Sequence, residues 1–184
     1  MKRRNTAILK LSIAGLCLAL CMVLPFLTGQ IPTIGKALSP MHIPVFLCGF
    51  LSGPLYGAVV GVIAPLLRSV LFGMPALYPS AVGMCFELLT YGAVAGFLYR
   101  ILPKKTIFVY VTLAVSMLCG RAVWGLASIF LYRAQGSVFT AELFLAGAFV
   151  NAVPGIVLHL ILVPLLVIAI TKAVPVLKKS EKNS

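Results

Sequence analysis

Three charged side chains stand well inside apolar runs of this sequence: Arg68, Glu87 and Arg121. A charge at the centre of a bilayer costs on the order of 3 kcal/mol on insertion scales, so such residues face a cavity or a partner. Tyr91 lies four residues after Glu87, and Trp124 three after Arg121, spacings that put each pair on one side of a helix. Asn151 occupies the last apolar run with Gly155 four positions on, and His42 opens another run. From the helical rise of ~1.5 Å per residue, Arg68 lies about 7 Å, Glu87 about 10 Å, Asn151 about 15 Å and Arg121 about 16 Å from the same membrane face. Arg121, Glu87, Arg68, Tyr91, Trp124, Asn151 and His42 therefore form a candidate small-molecule site with aromatic walls and a few convergent polar groups. His159 reads as a packed or interfacial residue.

The chemistry these types offer is recognition. The three buried charges sum to +1, and an uncompensated buried cation is costly. A monoanionic ligand would remove that cost, since the arginine fork suits a carboxylate. Arg121, the deeper arginine, is the expected anchor, with Arg68 partly neutralised by Glu87. The competing structural reading is a Glu87–Arg ion pair that only ties helices together.

Bond-making chemistry lacks its parts. The sequence contains no phosphate-cradling G-x-x-x-x-G-K-[ST] segment, no H-E-x-x-H and no aspartate. No enzyme activity and no cofactor are expected. Cys17, Cys21, Cys48, Cys85 and Cys119 all fall in apolar runs without a C-x-x-C pair, which reads as five small buried hydrophobes and no metal site.

The elements that must carry the site follow from composition. Of the 184 residues, 61% are hydrophobic and 10% charged, against about 25% charged in a soluble domain. Lipid is the solvent that suits such a chain. The expected fold is an all-α integral membrane domain over 1–184, with six transmembrane helices at about 7–27, 41–51, 55–72, 80–99, 106–132 and 141–170 and a basic tail at 171–184. The first run reads as a retained helix. The second is short for a span, hence tilted or partly re-entrant. Bends are expected at Pro154 and Pro164.

The net charge of +12 does not point to nucleic acid, because the basic residues bunch at the ends and in one loop. With the N-terminus inside, Lys2, Arg3, Arg4, Lys10, Arg100, Lys104, Lys105, Lys172, Lys178, Lys179 and Lys182 share the inner face, leaving Lys36 and Arg133 outside. That bias predicts both termini cytoplasmic.

Small residues recur every four positions at Gly53, Gly57 and Gly61, at Gly92 and Gly96, and at Gly15 and Ala19. Such stripes let helix backbones approach closely, and the first two read as internal packing.

The stretch His42-Ile43-Pro44-Val45-Phe46-Leu47-Cys48-Gly49-Phe50-Leu51-Ser52-Gly53-Pro54, followed by Gly57 and Gly61, resembles the helix 2–3 region of the substrate-binding S components of energy-coupling factor (ECF) transporters. The resemblance implies a multi-pass protein of the bacterial cell membrane that captures a water-soluble vitamin or related micronutrient in a pocket open to the outside. It implies a partner complex of one membrane coupling subunit and two ABC ATPase subunits. It also implies docking through small residues four apart on the first helix, where Gly15 and Ala19 match, with Gly in place of the more usual Ala. Pockets of the family draw on the first outer loop and helices 4 to 6. Glu87, Tyr91, Arg121, Trp124 and Asn151 fit that placement; Arg68 fits it less well. Pantothenate is the lead ligand, as a monoanion with hydroxyl and amide groups for Glu87, Asn151 and Tyr91. The alternative is a ligand-free scaffold of cell-wall or cell-shape machinery, whose buried Arg and Glu would close into pairs.

Overall fold

The computed structural model describes residues 2–28 and 37–174, and among these there are helices and turns but no strand. The helices are α1 (Lys2–Val23), extended by a 3₁₀ turn at Leu24–Thr28, α2 (His42–Ser52), α3 (Pro54–Phe72), α4 (Val82–Ile101), α5 (Thr106–Ala134), α6 (Ala141–Leu145) and α7 (Val153–Ala173). Five stretches are long and apolar enough to cross a membrane: Thr6–Leu27, Pro54–Phe72, Leu77–Ile101, Thr106–Ala134 and Ala141–Ala173. Large apolar side chains such as Leu11, Leu16, Val70, Phe97, Leu118, Phe130 and Leu165 are exposed on the outside of the bundle, which is where lipid tails would lie.

The expected second helix has a different role from the other five. α2 has 11 residues, all buried. At ~1.5 Å per residue it covers roughly half of the ~30 Å hydrocarbon core. A short helix can end inside the membrane region because protein, not lipid, surrounds its ends. It packs on α1, α3, α4 and α7.

The α2–α3 junction is tight. Gly53 has φ +101°, in the region where glycine carries no steric penalty, and Pro54 opens α3 where a missing N–H costs nothing. The Arg100 guanidinium lies where a Cβ on Gly53 would stand. Along α3 and α4 the backbones touch as the glycine spacing predicts. A Cβ on Gly57 would come within 2.7 Å of the Gly92 carbonyl oxygen, and one on Gly49 within 2.6 Å of the same atom. Gly61 meets the Leu88 backbone, and Gly96 the Gly53–Pro54 backbone.

Helices alternate in direction, so the Ser52–Pro54 turn, the Leu102–Lys105 loop and Lys172 share one end, the basic end. Ser52 Oγ donates to the Lys10 carbonyl there, at 3.1 Å. At the opposite end the helices are less regular. A π-turn at Leu77–Ala81 precedes α4. The run expected as one bent helix over 141–170 is broken by a π-turn at Ala146–Val150 and a turn at Asn151–Ala152. Pro154 stands in the first turn of α7, where it is harmless. Pro164 lies inside α7. The cysteines are free thiols, buried at 17, 21, 48 and 85 and half-buried at 119.

Candidate substrate-binding site

Four helices deliver polar side chains to one enclosed place in the half of the bundle away from the basic end. α4 supplies Glu87 and, one turn on, Tyr91. α5 supplies Arg121, α2 its first residue His42 together with Phe46, and α7 supplies His159. Glu87 is 2% exposed, His42 3%, Tyr91 1% and His159 2%.

Glu87 is the hub. Its Oε1 accepts from Arg121 Nη1 at 3.0 Å and from the Tyr91 hydroxyl at 2.7 Å. A buried carboxylate needs this kind of compensation. His42 Nε2 stands 3.7 Å from the same oxygen, too far for a hydrogen bond. Neither ring nitrogen of His42 has a hydrogen-bond partner, and nor does Arg121 Nε. Leaving such a group unmet costs about 1–3 kcal/mol. Rings close the set. His42 stacks on His159 with centroids 5.7 Å apart, and Phe46 on Tyr91 at 4.7 Å. His159 Nε2 is 3.2 Å from the Ser39 carbonyl oxygen. Gly120, the residue before Arg121, makes room for the Tyr91 ring, which a Cβ there would strike.

Of the seven residues expected to converge, Arg121, Glu87, Tyr91 and His42 do so. Arg68 does not: Glu87 pairs with Arg121, not with Arg68. Arg68 is buried but points at α1, donating to the Met22 carbonyl at 2.8 Å with its guanidinium 5.3 Å from the centroids of both Phe26 and Phe72. The carbonyl end of α1 and two aromatic faces satisfy the cation without a carboxylate. Asn151 is exposed. Its backbone N–H closes the π-turn onto the Ala146 carbonyl at 2.9 Å. Trp124 joins a neighbouring aromatic group with Phe139 (5.7 Å) and Phe144 (6.2 Å). That group lies one turn beyond Arg121, towards the irregular end, with Gly147 and Gly83 beside the indole.

His159, Phe46 and Gly120 also stand at the cluster, although the sequence did not single them out for it. His159 was displaced by a wrong origin. Measured from Ala141 as one helix it falls in the basic half. Counted from Val153, where α7 begins, it lies about 9 Å in, level with the cluster.

Helices long and apolar enough to span, wrapped around buried charged groups, define a broad class, the polytopic membrane proteins. The sequence matches the family described as ECF transporter, substrate-specific component over residues 9–167, and the chain belongs to that family. It is thus the substrate-binding transport subunit of an ECF importer, a multi-pass cell-membrane protein that associates with an energy-coupling module. No curated protein sequence and no solved structure matches the chain. The closed Glu87–Arg121 pair is also what a ligand-free scaffold would contain; family membership, rather than the pair, separates the two readings.

Proposed function

We propose that the Glu87–Arg121–Tyr91–His42 cluster is the substrate site, and that the substrate is a small carboxylate micronutrient, with pantothenate the first candidate. The observation that carries this reading is the set of orphaned donors and acceptors, His42 Nδ1 and Nε2 and Arg121 Nε, inside an otherwise satisfied cluster. Arg68 is engaged elsewhere and Arg121 and Glu87 cancel, so an incoming anion competes with Glu87 for the Arg121 fork. Hydroxyl and amide groups of the ligand would then meet Glu87 and Tyr91. Trp124, Phe139 and Phe144 would cover it. The charge bias makes the basic end cytoplasmic, so the site opens outward. Delivery runs through a coupling subunit and two ABC ATPases, with Gly15 and Ala19 on the exposed face of α1 as the docking stripe.

Mass spectrometry of ligand retained on the purified protein is the direct test. A retained carboxylate vitamin, weakened in calorimetric titration at least about thirtyfold by Arg121→Ala, supports the proposal; loss of one buried charged partner costs roughly 2–5 kcal/mol and each factor of ten is ~1.4 kcal/mol. A ligand without an anionic group, or normal binding by Arg121→Ala, refutes it.

A further inference from the structure

We infer that this site binds its carboxylate together with one proton, and that His42 is the group that takes the proton up. The inference rests on the carboxylate reading above and deepens it. In the closed cluster the charges of Glu87 and Arg121 cancel across 3.0 Å. An anion that captures the Arg121 fork brings the enclosed charge to −1 and removes the ionic partner of Glu87, which keeps only the Tyr91 hydroxyl at 2.7 Å. Two carboxylates around one guanidinium in a poorly solvated site is a costly state.

His42 is placed to relieve it. Its Nε2 is 3.7 Å from Glu87 Oε1, so a closure of about 1 Å gives a charge-assisted bond of the usual ~2.8 Å. No other acceptor holds either of its nitrogens. Histidine is the side chain that ordinarily changes charge between pH 5 and 8.

The other candidates around it are committed. From α4, Tyr91 already donates to Glu87. From α5, Arg121 is permanently charged. From α7, the His159 ring is tied to the Ser39 carbonyl at 3.2 Å. From α1, the Cys21 thiol is 3.5 Å from the Met41 carbonyl oxygen. From α3, Arg68 is turned to the Met22 carbonyl. The exchange is therefore a change of partners: Arg121 passes from Glu87 to the ligand, Glu87 passes to His42, and the proton comes from solvent.

If the complex holds one more proton than its separated parts, affinity falls as pH rises, by up to about tenfold per pH unit. The experiment titrates the full-length detergent-solubilised protein calorimetrically with pantothenate, biotin and nicotinate. Two buffers of different ionisation enthalpy give the proton number directly. The expected result is uptake of about one proton per bound carboxylate at pH 7.5. His42→Gln should abolish the uptake and flatten the pH profile, while His159→Gln should keep both. Carboxylate binding by the unmodified protein without proton uptake overturns the inference and leaves the carboxylate reading standing. So does uptake that survives in a monodisperse His42→Gln variant. If none of the three carboxylates binds, or only a neutral or cationic vitamin does, both readings fall.

Discussion

The two faces of α4 solve opposite problems. Towards α3 it presents Gly92 and Gly96, whose Cα atoms lie against the backbones of Gly57 and Pro54. Towards α2 and α5 it presents Glu87 and Tyr91, which meet charged and aromatic side chains. The first face holds by shape, with no polar side chain needed. The second holds by charge and leaves polar atoms unmet. Lipid offers no hydrophobic drive for helices to associate, so close backbone packing is one of the means of fixing a helix in place. The close α3–α4 contact gives Glu87 and Tyr91 a fixed base, while their partners Arg121, His42 and Phe46 come from α5 and α2.

The largest effect should come from breaking the charged face. Arg121→Ala leaves Glu87 buried with no ionic partner, which typically costs about 3–5 kcal/mol. Thermal unfolding in detergent should show a large fall in midpoint. Adding Glu87→Ala should restore much of it, because the pair is removed together. A double variant no more stable than Arg121→Ala would show that the charge itself is not the problem.

Tyr91→Phe comes next. It deletes the donor at 2.7 Å from Glu87 and keeps the ring stacked on Phe46; hydrogen bonds to charged groups contribute about 1.5–3 kcal/mol. Its binding loss should exceed its loss of thermal stability if the hydroxyl also meets ligand. The shape face should respond more narrowly. Gly61→Val drives a side chain into the Leu88 backbone, an overpacking that costs roughly 1–3 kcal/mol. Since Leu88 adjoins Glu87, affinity should fall with stability. Unchanged binding in a destabilised Gly61→Val protein would separate the two faces of α4 and remove the anchoring argument.

The difference between the faces also explains what could be read from sequence. The inward packing of the α3 and α4 stripes was legible because Gly57, Gly61, Gly92 and Gly96 keep a four-residue period on helices without a break; that the two stripes meet each other came from the structure. The four spans at α1, α3, α4 and α5 were legible for the same reason. Where the backbone departs from that period, counting failed. The π-turn at Ala146–Val150 and the turn after it interrupt the period, so counting from Ala141 set Asn151 level with the charged cluster and His159 in the basic half. Nothing in an apolar run such as Ala-Gly-Ala-Phe-Val marks a π-turn; in the structure Phe144 and Gly147 flank it against Trp124. The pairing of Arg121 rather than Arg68 with Glu87 was equally out of reach. Both arginines have suitable depth, and only the direction of α3 relative to α1 turns Arg68 towards Met22, Phe26 and Phe72.

The smallest expected effect on the folded protein is at Gly15, and it tests whether a third helix face follows the logic of the α3–α4 stripe. α1 turns Ala14, Cys17 and Cys21 inward. Gly15 and Ala19 are exposed, and a Cβ at Gly15 would meet nothing within 4 Å. Within the subunit this pair of small residues has no packing task, unlike Gly57 or Gly92. A Gly15→Leu side chain fits in open space, so stability should stay within about 0.5 kcal/mol, as for surface substitutions. It should even gain slightly, since glycine is about 0.8–1.0 kcal/mol worse than alanine inside a helix. Ligand affinity should be unchanged. Uptake by cells that also express the coupling module should nevertheless fall sharply, because a small-residue stripe admits a partner helix only while it stays small. Normal uptake, with the coupling subunit still co-purifying with Gly15→Leu, would move the docking surface elsewhere on the bundle. A drop in thermal stability would show instead that the exposed α1 stripe supports the fold.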